Sequence, residues 1–159
     1  MACLRGYEER VRDLVRQGVD INGKGEAGLN GLIEATHAGH ENIAVFLLSL
    51  PGIDVNVVDV IGHNALHEAA WKDRRQVVSV LLERSDVRTD AKDWRGKTAR
   101  DLAVEQGNKQ IVEMIEKREA DSARKGSGNN QGNFRKVEKD FQTQSQLSEM
   151  REAGRGAYF

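Results

Sequence analysis

Cysteine occurs once, at Cys3, so no disulfide can close within the chain and a stapled secreted scaffold is excluded. Long apolar runs are missing as well. The longest, around residues 43–48, falls far short of the roughly 18 residues that a membrane span needs. Neither sign of charge dominates: 24 Lys and Arg face 25 Asp and Glu, a formal net charge of −1. That balance argues against a broad electrostatic grip on nucleic acid or on an anionic membrane. The opening residues Met1-Ala2-Cys3-Leu4-Arg5 lack the charged-then-apolar pattern of a secretion signal. These absences lead to the expectation of an intracellular protein, cytoplasmic or nuclear. The 159 residues leave room for one core and a tail.

What is present is a repeat. Gly28, Gly62 and Gly96 stand 34 residues apart, as do Ala35, Ala69 and Ala103. Ile43, Val77 and Ile111 keep the same phase, and so do Leu47, Leu81 and Ile115. Asn30 and Asn64 are followed at that interval by Thr98, while Gly18, Asp20 and Asn22 return as Gly52, Asp54 and Asn56. A fixed offset of this length marks a stack of supersecondary units.

Each unit reads as two short helices and a turn. Asn64 can cap a helix that places Leu66, Ala69 and Ala70 on one face. After Lys72-Asp73-Arg74 breaks it, Val77, Val78, Leu81 and Leu82 form the stripe of a second amphipathic helix. Small alanines let the first helices of neighbouring units approach closely. Neither helix is long enough to be stable alone in water, so stacking must stabilise both.

The segment Gly62-His63-Asn64-Ala65-Leu66-His67-Glu68-Ala69-Ala70 resembles the signature of the ankyrin-repeat family, a glycine followed by Thr-Pro-Leu-His-x-Ala-Ala. Residues 39–48 are similar to its second-helix half, 52–56 to its closing loop, and 96–103 to a common variant. The resemblance implies an all-α solenoid: a half repeat in 1–24, repeats in 25–58 and 59–92, and a capping repeat in 93–118. Residues 119–159 are expected to be a disordered tail. The implied work is protein–protein recognition by an adaptor or scaffold, without catalysis, cofactor or metal, in a monomer that binds no nucleic acid or membrane. A second reading is a regulatory or targeting fragment of a larger enzyme or signalling protein.

Departures from the family pattern carry their own expectations. Gly31, Ala65 and Ala99 stand where the family has a helix-starting proline, and Gly31 is the least helix-favouring of them. Asp73 replaces the glycine that ends the first helix. The chain begins in mid-repeat, with Arg10 at the place of Ile43 and Val77, a polar cap or a truncated unit. The missing part of that first helix predicts a partly uncovered Leu32–Ala35 layer. Arg100 for Leu32 and Leu66, and Glu116 for Leu48 and Leu82, give the polar outer face of a last repeat. Beyond 120, the stretch 123–132 is polar and glycine-rich. Phe134, Val137 and Phe141 keep a weak helical spacing, read as a solvated linker or as a segment that folds on a partner.

Spacing offers no reactive constellation. His37 and His40, and His63 and His67, form close pairs, but no Cys or carboxylate at usual spacing completes a metal set. Cys3 lies on a small packing position with no nucleophile signature around it. The glycines at 23, 25 and 28 are not followed by the Lys-Ser/Thr of a phosphate loop. Arg74, Arg75 and Arg84, and separately Lys92, Arg95 and Lys97, read as solvated positive spots.

In ankyrin proteins, the resemblance implies, signature positions such as His40 and His67 hold turns. Turn tips and the exposed end of the first helix bind partners. Those variable positions are Glu26, Ala27, Leu29 and His37 in one unit; Val60, Ile61, His63, Trp71 and Lys72 in the next; and Trp94, Arg95, Lys97 and Glu105 in the third. Both tryptophans fall among them. Exposed aromatic and apolar residues on one face mark an interaction site, unless the indoles fold down to cover gaps between repeats.

Overall fold

The computed structural model describes residues 8–127. Seven α-helices follow one another there: α1 (Glu8–Arg16), α2 (Gly31–Ala38), α3 (Glu41–Leu48), α4 (Ala65–Trp71), α5 (Arg75–Glu83), α6 (Ala99–Gln106) and α7 (Lys109–Ser127). A single 3-10 turn covers Glu26–Gly28, and no strand occurs among the described residues.

Helices α2, α4 and α6 form an inner row and α3 and α5 an outer one, pairing as α2/α3 and α4/α5, while Arg100–Glu116 joins α6 to α7 and Arg75–Gln110 joins α5 to α7. Each inner helix starts on a side-chain cap at the 34-residue interval. Asn30 Oδ1 accepts from Ile33 N at 2.9 Å, Asn64 Oδ1 from His67 N at 3.0 Å, and Thr98 Oγ1 from Asp101 N at 3.2 Å. The core is the one that the period implies: Leu32, Leu66, Ala69, Ala103, Ile43, Val77, Leu81, Ile111 and Ile115 are all buried. Asp73 takes the left-handed backbone conformation, φ 56°, as its place between Gly39 and Gly107 requires.

Successive units are also tied by hydrogen bonds that repeat with the sequence. Val60 N donates to Ala27 O and Trp94 N to Ile61 O, linking the turn tips at 3.1 and 3.0 Å. At the opposite end Asn22 Nδ2 donates to Gly52 O and Asn56 Nδ2 to Asp86 O, at 2.9 and 2.7 Å. Arg84 is no free positive spot. Its guanidinium donates to Leu48 O and Ile53 O, and Arg118, 34 residues on, does the same to Leu82 O and Arg84 O.

Two expectations need correction. Leu32 and Ala35 are fully buried, so no uncovered layer exists there. A surface pocket of about 470 Å³ opens instead beside α1, among Val11, Leu14, Val15, Ile21, Leu29 and Leu47. Secondary structure also continues past 118, because α7 runs to Ser127. Glu, Lys, Arg and Ala dominate residues 116–125, and these are strong helix formers even without burial. Of the tail, residues 128–159 lie outside the described residues, as do Cys3 and the rest of 1–7.

Candidate functional site

Ten of the thirteen positions expected to meet a partner line one pocket of about 500 Å³: Ala27, Leu29, His37, Val60, Ile61, His63, Trp71, Trp94, Arg95 and Glu105. Turn tips supply one wall and the inner helices α2, α4 and α6 the other. The tip hydrogen bonds hold Val60, Ile61 and Trp94 in register, and the C-terminal end of α4 presents Trp71. Glu26, Lys72 and Lys97 stay outside the lining.

Solvent reaches the apolar rim. Val60 is 75% exposed, Ile61 41%, Trp71 38% and Trp94 72%. The two indoles differ in setting. Lys72 Nζ stands 4.2 Å from the Trp71 ring centre, and the His37 ring lies 6.4 Å away on the other flank. The Arg95 guanidinium stands 6.0 Å from the Trp94 ring centre. Trp71 is thus partly folded down, whereas Trp94 stands out. Lys97 pairs with Glu105.

The floor is polar and buried, and spacing did not foresee it. His63, grouped above with the exposed positions, is only 8% exposed, because carboxylates flank its ring on both sides. Its Nδ1 meets Glu68 Oε1 at 2.9 Å and its Nε2 meets Asp93 Oδ2 at 3.3 Å. Glu68 Oε2 faces His37 Nδ1 at 2.8 Å. The hydrogen bond to Glu68 is the main reason that the His63 pKa is raised, against the effect of burial. Burial pushes the Glu68 pKa up, but its bonds to His63 and His37 outweigh that and hold it below the ordinary value. Asp93 is likewise penalised by burial yet held low by the backbone N–H groups of Lys97 and Arg95.

His67 plays the part that the family pattern implies. Its Nε2 bonds Lys97 O at 3.2 Å and its Nδ1 accepts from Asn64 N at 3.3 Å, so the ring pins one turn to the next. Burial lowers its pKa, and it remains a neutral structural imidazole. The fold also brings Asp59, His63 and Glu68 together, with potential metal-ligating atoms within 4.8 Å of one another. The period gave no signal for this floor, because Glu68 shares its phase with Glu34 as well as with Leu102.

Paired helices stacked at a 34-residue period, with bonded turn tips, define an α-solenoid of helix-turn-helix repeats. A family model described as ankyrin repeats, three copies, matches residues 1–93, more than half of the chain. The chain belongs to the ankyrin-repeat family. The comparison with curated proteins gives no match. Ankyrin repeats as a class are protein-interaction modules and typically carry no catalysis. No helix among the described residues is long and apolar enough to cross a membrane.

Proposed function

We propose that the chain is an adaptor or scaffold that binds a partner protein across the concave face made by the turn tips and the inner helices. One observation carries this reading: four large apolar side chains, Val60, Ile61, Trp71 and Trp94, surround a single pocket with their surfaces open to solvent. Burying such a cluster is favourable, and tryptophan is the residue most enriched among those that dominate binding energy.

The test compares proteins captured from source-cell lysate by the wild type, by Trp94→Ala and by Ser79→Glu, the last altering an exposed position of the outer helix α5. Trp94→Ala is expected to weaken the principal interaction by about 2 kcal/mol, near 30-fold, with the unfolding midpoint unchanged. Trp71→Ala is expected to cost both binding and some stability, since its ring is partly packed. Normal capture by the double tryptophan variant, with loss in Ser79→Glu, would move the binding surface to the outer row.

A further inference from the structure

The floor of the concave pocket poses a problem of proton arithmetic at His63. A neutral imidazole has one N–H, so between two carboxylates it satisfies one and turns a lone pair on the other. Asp93 lies at Nε2, and its own position is fixed by the backbone N–H groups of Arg95 and Lys97, at 2.8 and 2.9 Å from Oδ1. An Nε2–H bonded to Asp93 leaves the Nδ1 lone pair facing Glu68 Oε1 at 2.9 Å. The other tautomer donates Nδ1–H to Glu68 and turns the lone pair on Asp93 at 3.3 Å, so both carboxylates are satisfied together only by a second proton on the ring or by a metal ion at one nitrogen.

The surroundings favour a metal ion as the alternative to the proton. Asp59 Oδ1 is fixed by the N–H groups of Ile61 and His63 at 3.0 and 2.9 Å, which leaves its second oxygen available. Glu68 is steadied through Oε2 by His37. Each ligand therefore has a supporting partner, the arrangement that orients metal-binding imidazoles and carboxylates. One imidazole with two carboxylates suits a zinc-type ion better than Ca²⁺ or Mg²⁺, which require more oxygen ligands. Tetrahedral bonds of about 2.0–2.2 Å set ligand atoms roughly 3.3–3.6 Å apart. The trio's ligating atoms already lie within 4.8 Å of one another, not far from that spacing.

We propose that Asp59, His63 and Glu68 bind one zinc-type divalent ion, oriented by Asp93 and His37, with a fourth coordination position open to the pocket. The ligands and their supports come from three successive units, so the ion would tie those units together at the face itself.

The experiment uses the full chain, stripped with a chelator and titrated with zinc chloride by calorimetry. The expected result is one zinc per chain, with affinity reduced about 10–100-fold in Asp93→Asn and further in Glu68→Gln. Absence of uptake, or uptake unaltered in Glu68→Gln, overturns the proposal. As a readout that needs no substitution, the wild type is also followed by NMR of its imidazole nitrogens. Zinc is expected to shift His63 and leave His40 in place. A shift confined to His40, or none at His63, overturns the assignment independently of any substitution.

Discussion

Asn64 caps α4 through its oxygen, yet its Nδ2 is buried without a hydrogen-bond partner, and Asn30 repeats the defect. At the same place in the third unit Thr98 makes the cap with a hydroxyl that also donates to Asp101 Oδ2. A buried donor left unpaired costs about 1–3 kcal/mol. Asn64→Thr is therefore expected to raise stability by about 1 kcal/mol in urea unfolding, and a loss would mean that the amide is satisfied. Charge at Glu68 gives a second prediction at this scale. The raised imidazole of His63 contributes stability that is full below its ordinary 6.5 and lost as pH rises through its folded value. The lowered carboxylate of Glu68 contributes stability present above its ordinary 4.5 and lost as pH falls through its folded value. With chelator present, the wild type is expected to exceed Glu68→Gln by about 1.5–3 kcal/mol, most between pH 4.5 and 6.5, less on either side. His67, buried and neutral, acts in the opposite direction below 6.5 in both proteins and cancels in that difference. A pH-independent difference would show that the pair is not charged. Much of this network was illegible in the sequence, since the partners of His63 lie 5 and 30 residues away and that of His37 lies 31 away. A spacing rule built on neighbouring ligands finds the close pair His63 and His67, whose rings merely stack at 5.4 Å.

Helices and turns were more readable than side-chain pairings, because their causes repeat. The caps at 30, 64 and 98 and the asparagine bonds at 22 and 56 recur at the offset of the glycines. Arg84 and Arg118 recur too, and attention to the interval alone would have assigned them to carbonyls rather than to solvent. The end of α7 was not readable from the period, since the helix continues on propensity after its last buried residue, Ile115. The turns yield a prediction about why their glycines are there. Gly62 has φ +79°, and a Cβ on it would lie 3.1 Å from Asp93 Cα in the next tip. Gly96 has φ +76° with nothing within 4 Å of such a Cβ. Gly96→Ala is expected to cost only the left-handed strain, about 1 kcal/mol. Gly62→Ala is expected to cost more and to loosen the Trp94-to-Ile61 bond, because backbone there must move. Equal losses in thermal or urea unfolding would show that the close approach between tips carries no energy.

A stack in which each unit touches only its neighbours has stability that varies along its length. Helix α4 buries six of its seven residues and α5 buries Val77, Val78, Leu81 and Leu82, with a unit on either side. Helix α1 buries Val11 alone; Leu14 and Val15 are only partly buried and line an open pocket of about 470 Å³. The loop that follows, to residue 30, is mostly exposed, although Asn22, Lys24 and Ala27 bond it to Gly52, Val58 and Val60. Opening at that end exposes little apolar surface, whereas opening at the second full unit breaks both of its interfaces. Amide hydrogen exchange is therefore expected to be fastest over residues 8–30 of the stack and slowest over 62–90, approaching global unfolding there. The concave pocket takes His63, Glu68 and Trp71 from that slow part, so this portion of its lining is preorganised before any partner arrives. Protection of residues 8–30 equal to that of 62–90 would mean that the stack opens as one cooperative unit. In that case partner binding would be expected to slow exchange uniformly instead of at the turn tips alone.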